Sequence, residues 1–243
     1  MITIDTHNLI LWARPKKEAK QEQVRKIYEI LSVLIEFGEP FLPNYLPAKR
    51  KSECKPFILS YENIEKMLEK IPKYEELDER LGVGKAIGFF SSLEDEKSSR
   101  ISMNIGHSNS RGNNTIVISF PINFDFEQPN ISNRLAELLK ELVKIFDPYW
   151  GCITSWFNSR QFDGYYNHEK GIPNAVFWMN YWGEDITNTL KVSKKIKKGK
   201  IDKLYEIEEY HKGYFLRLQE KPIDINNEIE IDFQKQVNSI FNL

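Results

Sequence analysis

The chain is short of the features from which function is most often read. Its 243 residues include two cysteines, Cys54 and Cys152. They lie far apart and outside any CxxC or Cys/His spacing, so no cysteine-built zinc site is expected and a reduced compartment is the simplest setting. No run approaches the ~20 apolar residues that a membrane-spanning helix needs. The start, MITIDTHNLILWAR, has no basic region, apolar stretch and small-residue cleavage site, so a cytoplasmic location is expected. An excess of one charge is missing too. Lys plus Arg number 34 against 35 Asp plus Glu, for a formal net charge of −1, and nothing global points to nucleic acid or an anionic membrane. HExxH, GxSxG and carboxylate clusters are absent.

What is present is hydrophobic periodicity. Residues 2–13 are β-branched and partly alternating, which predicts a strand ended by Arg14-Pro15. KKEAKQEQVRKIYEILSVLIEFG places Val24, Ile27, Tyr28, Leu31 and Leu34 on one helical face, with Gly38 as the stop. Pro40, Pro43, Pro47 and Pro56 make 39–59 a connecting loop. Ser60 can cap a short helix lined by Ile64, Met67, Leu68 and Ile71. KAIGFFSS, SRISMNIG and TIVISFP then read as an antiparallel meander. PNISNRLAELLKELVKIFD is the clearest helix, closed by Asp147-Pro148.

The second half repeats this order loosely. WGCITSWF and IPNAVFWMNYWGED (172–185) read as strands, followed by a short helix and a lysine-rich loop. KLYEIEEY and KGYFLRLQ form a hairpin about His211-Lys212-Gly213. The last helix, about 227–241, has Ile229, Phe233, Val237, Ile240 and Phe241 on one face, with Asn227 as cap and Glu230 three residues on. Each half gives strands first and a helix last. The expected fold is α+β, antiparallel sheet with helices packed on one face, in a single domain 1–243 with a possible seam near 121–130.

Catalysis needs a nucleophile, a base or a metal held together. Of four histidines, His7 reads as a half-buried structural imidazole in a strand, and His107 and His211 read as solvated loop residues. QFDGYYNHEKG gathers Asp163, His168 and Glu169 in one loop, an acid–base pair or part of a metal site in principle, and this is the alternative enzyme reading. GVGKAIG lacks P-loop spacing and leads into a strand, so it reads as a turn. The basic run KVSKKIKKGK has no interleaved aromatics and reads as a solvated loop rather than a phosphate-binding one.

Acidic groups recur in turns: Glu94, Asp95 and Glu96 at a hairpin tip, Glu184 and Asp185 ending the 172–185 stretch, and Glu206, Glu208 and Glu209 along a later strand. They block edge pairing or steer a basic partner. In 172–185, alternation puts Val176, Trp178, Asn180 and Trp182 on one face and Ala175, Phe177, Met179 and Tyr181 on the other. Both faces are mainly apolar, as in a central strand covered on both sides. A buried Asn180 must then be hydrogen-bonded, because an unpaired amide costs ~1–3 kcal/mol.

In order along the chain, LILWARPKKEAKQEQVRKIYEIL, ISMNIG with VISFP, FDPYWGCITS, PNAVFWMNYW and GYFLRLQEKP followed by a helix resemble segments of the immunity protein 52 family of bacterial toxin-neutralising proteins. The likeness runs through most of the chain and is weakest at 40–80. It departs at Phe177, where the family pattern has Gly, and at Asn180, where the residue varies. A related type VI secretion immunity family has a similar Asn-Trp-x-x-aromatic strand and proline-ended hairpin. The resemblance implies a protein without a reaction or cofactor of its own, which binds a cognate toxin in the cytoplasm and occludes its active site. Nuclease-type toxins are the expected partners, and their basic surfaces suit acidic turns. The contact residues this implies are Glu94, Asp95, Glu96, Asp163, Tyr165, Tyr166, Glu184 and Asp185, with no direct nucleic acid and no membrane.

Overall fold

The structure is a computed structural model that describes residues 5–69, 84–109, 112–197 and 204–243. The fold is α+β, with antiparallel sheet and packed helices. Its contacts divide into two units, each built from non-contiguous pieces of chain. The first comprises Met1–Leu9, Asp125–Val143 and Pro148–Leu243, and the second comprises Ile10–Phe124 and Lys144–Asp147. The passage between Phe124 and Asp125 lies within the 121–130 stretch.

In the second unit, most of strand β1 (His7–Ala13) leads into helix α1 (Lys20–Phe37). Val24, Ile27, Ile30, Leu31 and Leu34 are its buried residues. Tyr28, expected on that face, lies at its margin and stacks on Tyr61 of α2 (Tyr61–Glu69) at 4.3 Å. Gly38 ends α1 with φ 87°, a left-handed conformation that glycine adopts at no steric cost. Ser60 caps α2, its Oγ accepting the Asn63 N–H at 3.1 Å. Ile64 and Leu68 are buried; Ile71 lies outside the described residues. So does the start of the GVGKAIG turn, and Lys85 onward is strand as read.

The strands of this unit run in the order β6-β5-β4-β2-β3. The meander β4 (Lys85–Phe90), β5 (Arg100–Ile105) and β6 (Asn114–Ser119) pairs antiparallel throughout. The proline-rich loop contributes the two-residue strands β2 (Tyr45–Leu46) and β3 (Lys55–Pro56) and a 3-10 turn at Lys51–Glu53. Ile87, Phe89, Ile101, Met103, Ile116 and Ile118 are buried on one face. On the other, Arg100 and Ser102 are exposed and Thr115 and Val117 only half-buried.

The first unit holds strands in the order β11-β12-β10-β7. All of β7 (Trp150–Ser155) and β10 (Met179–Gly183) is buried, on both faces. α3 (Ile131–Phe146) covers one face, its Lys140 ammonium 4.6 Å from the Phe215 ring. The C-terminal α7 (Glu228–Phe241) covers the other, where Phe241 meets Trp182 edge-on at 4.9 Å. Helices therefore flank this sheet on both faces, not on one. Asn227 caps α7 as expected, accepting the Ile229 N–H at 3.1 Å and donating to Glu230 at 2.9 Å. The hairpin β11 (Glu206–Tyr210) and β12 (Gly213–Arg217) closes around His211-Lys212.

Four sequence expectations need correction. Ile229 is 81% exposed, and the buried stripe of α7 is Ile231, Gln234, Val237, Asn238 and Phe241. Gln234 and Asn238, which lie off the expected apolar face, are buried because they bond inside the core. WGCITSWF is strand only to Ser155. Ser155 Oγ then accepts the Asn158 N–H at 3.0 Å and starts helix α4 (Trp156–Arg160). Part of the lysine-rich loop is helix, α6 (Val192–Lys197), after α5 (Glu184–Leu190). There the Lys195 ammonium lies 5.1 Å from the Phe241 ring, within cation–π range. His107, read as solvated, is buried. Its backbone N–H donates to Asn114 Oδ1 at 2.8 Å, and its Nε2 lies 2.9 Å from Asn104 Nδ2. Added Cβ atoms at Gly84 and Gly112 would lie 2.6 and 2.4 Å from its ring, so only glycine leaves it room.

Candidate functional site

The aromatic side chains of the 172–185 stretch belong to the core. Trp150, Phe177, Trp178, Tyr181 and Trp182 are each at most 1% exposed. The strand is shorter than alternation implies. Ile172–Pro173 (β9) pairs with Tyr166–Asn167 (β8), and β10 begins only at Met179. Asn180 explains the break. Its Oδ1 accepts the Phe177 N–H at 3.0 Å and its Nδ2 donates to Phe177 O at 2.9 Å. One buried side chain satisfies the backbone of a residue outside the ladder.

A second buried amide network lies beneath α4. Asn158 and Gln234 exchange hydrogen bonds at 2.8 and 3.1 Å, Thr154 Oγ1 donates to Asn158 Oδ1 at 3.1 Å, and Gln234 Nε2 donates to Val176 O at 2.9 Å. Asn238 Oδ1 accepts the Val176 N–H at 2.7 Å. A satisfied network of this kind fixes geometry, because moving any member strands another in a dry interior. It holds α4 and the loop after it.

That loop carries several of the candidate residues. Asp163 takes φ 57° before Gly164, and the turn is closed by Gly164 N–H to Ser159 O at 2.9 Å. Asn174 donates to Asp163 O at 3.1 Å and pins the loop's return. Tyr165 is half-buried, and burial raises its phenol pKa. Tyr166 lies 5.8 Å from Tyr149 and 5.7 Å from Trp150. Gly183, whose N–H donates to Tyr149 O at 3.0 Å, precedes Glu184 and Asp185 in the first turn of α5. Tyr149 thus links Tyr166 to the two acids. An open hollow of about 460 Å³ is lined by Gln161, Phe162, Asp163, Tyr166, Asn167 and Asn174.

His168 is exposed and lies 5.4 Å from the Tyr166 ring. Among the described residues no three His, Cys, Asp or Glu gather as a metal site, so Asp163, His168 and Glu169 do not form one. His7 is half-buried against Phe126 at 4.5 Å, and burial lowers its pKa to about 4. Cys152 is fully buried, which pushes its thiol pKa up and makes it unreactive.

The acids divide into two kinds. In the second unit Glu94 pairs with Lys97 at 2.7 Å, Asp95 with Lys51 at 2.6 Å, and Glu96 accepts from Asn123 at 3.3 Å. In the first unit Asp163, Glu169 and Glu184 are exposed and make no ion pair among the described residues. Glu206 and Glu208 are structural instead, holding Lys140 at 3.3 and 2.5 Å. Burial works to lower the Lys140 pKa, but the hydrogen bond it donates to Glu208 and the charges of Glu206, Glu208 and Glu137 outweigh it and raise it. Arg217 completes this network on Glu206 at 2.5 Å and Asn133 at 2.8 Å.

One residue was missed by pattern reading. Trp156 is 43% exposed, with the Arg160 guanidinium 5.9 Å from its ring and Tyr165 at 6.3 Å. The apolar run WGCITSWF reads as strand through it; the serine before it, a natural helix cap, is the signal that it starts a helix.

No protein-family model matches the chain, and no curated protein does. A solved structure does. It is that of the Pseudomonas aeruginosa T6SS protein PA0821, 11% identical, with a TM-score of 0.61 over 98% of this chain and 72% of that one. The two share a fold. No helix among the described residues is long and apolar enough to cross a membrane.

Proposed function

We propose that the protein is an immunity protein of interbacterial competition, which binds a cognate toxin in the cytoplasm and occludes its active site. The observation that carries this reading is the fold shared over 98% of the chain with a T6SS protein. The ordered segments that resemble the immunity protein 52 family agree with it. Exposed acids without ion pairs beside half-buried tyrosines suit a basic partner such as a nuclease-type toxin, since complementary charge speeds encounter and selects the partner. Tyrosine adds large contact area at modest entropy cost. The test is co-expression with a candidate toxin domain encoded by a neighbouring gene. The immunity reading expects a co-purifying complex and survival of cells that the toxin alone kills. Neither complex nor protection would end it.

A further inference from the structure

We draw no further inference here: the strongest candidate, a second apolar stripe on α7 in which Ile229 is 81% exposed and Phe233 and Ile240 are half-buried, carries nothing because nothing in the structure shows what covers it.

Discussion

The two units use sheet in opposite ways. In the first, β7 and β10 are buried along their whole length, with α3 on one face and α7 on the other. In the second, β5 and β6 alternate, burying Ile101, Met103, Ile116 and Ile118 and leaving Arg100 and Ser102 exposed. The closed sheet has no water to solvate its polar groups, so each needs a protein partner, and amides buried inside supply it. The half-open sheet needs fewer such devices. The candidate contact acids also differ: Glu94 and Asp95 are ion-paired in the second unit, whereas Asp163, Glu169 and Glu184 of the first make no ion pair among the described residues.

Large core deletions test this comparison most severely. Trp182→Ala removes a side chain with no exposure, packed on Phe241, and should cost about 3–5 kcal/mol. Ser102→Ala on the open face of β5 should stay within about 0.5 kcal/mol. Denaturant unfolding with signals from both units reads the difference. Similar losses would mean that the open face is covered in solution.

The amides come next. Asn180→Ala leaves the Phe177 N–H and C=O without their partner, and the expected loss is about 1–3 kcal/mol. Asn114→Ala is the counterpart in the second unit, where this side chain meets the His107 N–H at 2.8 Å and Arg14 O at 3.1 Å. Asn114 and His107 are themselves buried, so a loss of similar size is expected there: the burial of the individual group, not the openness of its sheet, sets the cost. A loss near zero for Asn114→Ala would show that water reaches this end of the half-open sheet.

These amides also mark where sequence reading reached and where it stopped. Periodicity found α1, the meander, α3, the β11–β12 hairpin and both faces of β10, because each buries apolar residues at its own period. It assigned Ile229 to the core and passed over Gln234 and Asn238, since hydropathy gives a buried amide no credit until its partner is known. Asn180 was flagged as needing a partner, but that the partner would be Phe177's backbone is a tertiary fact. Of the candidate site, the exposed acids and tyrosines were legible. Trp156 was not: an apolar run continued through it, and only the Ser155 cap turned the chain. Which acids carry lysine partners depends on contacts such as Lys51 with Asp95, far apart in sequence.

Acid should act through His7 of the first unit. Burial holds its folded-state pKa at about 4, below the ordinary 6.5. As pH falls, the unfolded chain takes up the proton first. Stability is therefore full above pH 6.5 and declines as pH drops from there toward 4, with a slope approaching about 1.4 kcal/mol per pH unit. His7→Phe should flatten that part of the profile in urea titrations. An unchanged slope in the variant would place the acid sensitivity elsewhere.

Charge reversal has the smallest effect on stability and separates the two sets of acids most directly. Glu94→Lys and Asp95→Lys break exposed pairs with Lys97 and Lys51, and exposed pairs contribute little to folding. Asp163→Lys and Glu184→Lys break no ion pair among the described residues. All four should melt with the wild type. Toward the toxin they should differ: at low salt the first-unit reversals slow association about tenfold or more, the second-unit reversals leave it near the wild-type rate, and added salt shrinks the gap as the charges are screened. Stopped-flow association measured at two ionic strengths reads both effects. A slower rate for Glu94→Lys and Asp95→Lys instead would move the docking surface to the second unit and show that its lysines exchange their carboxylate partners on binding.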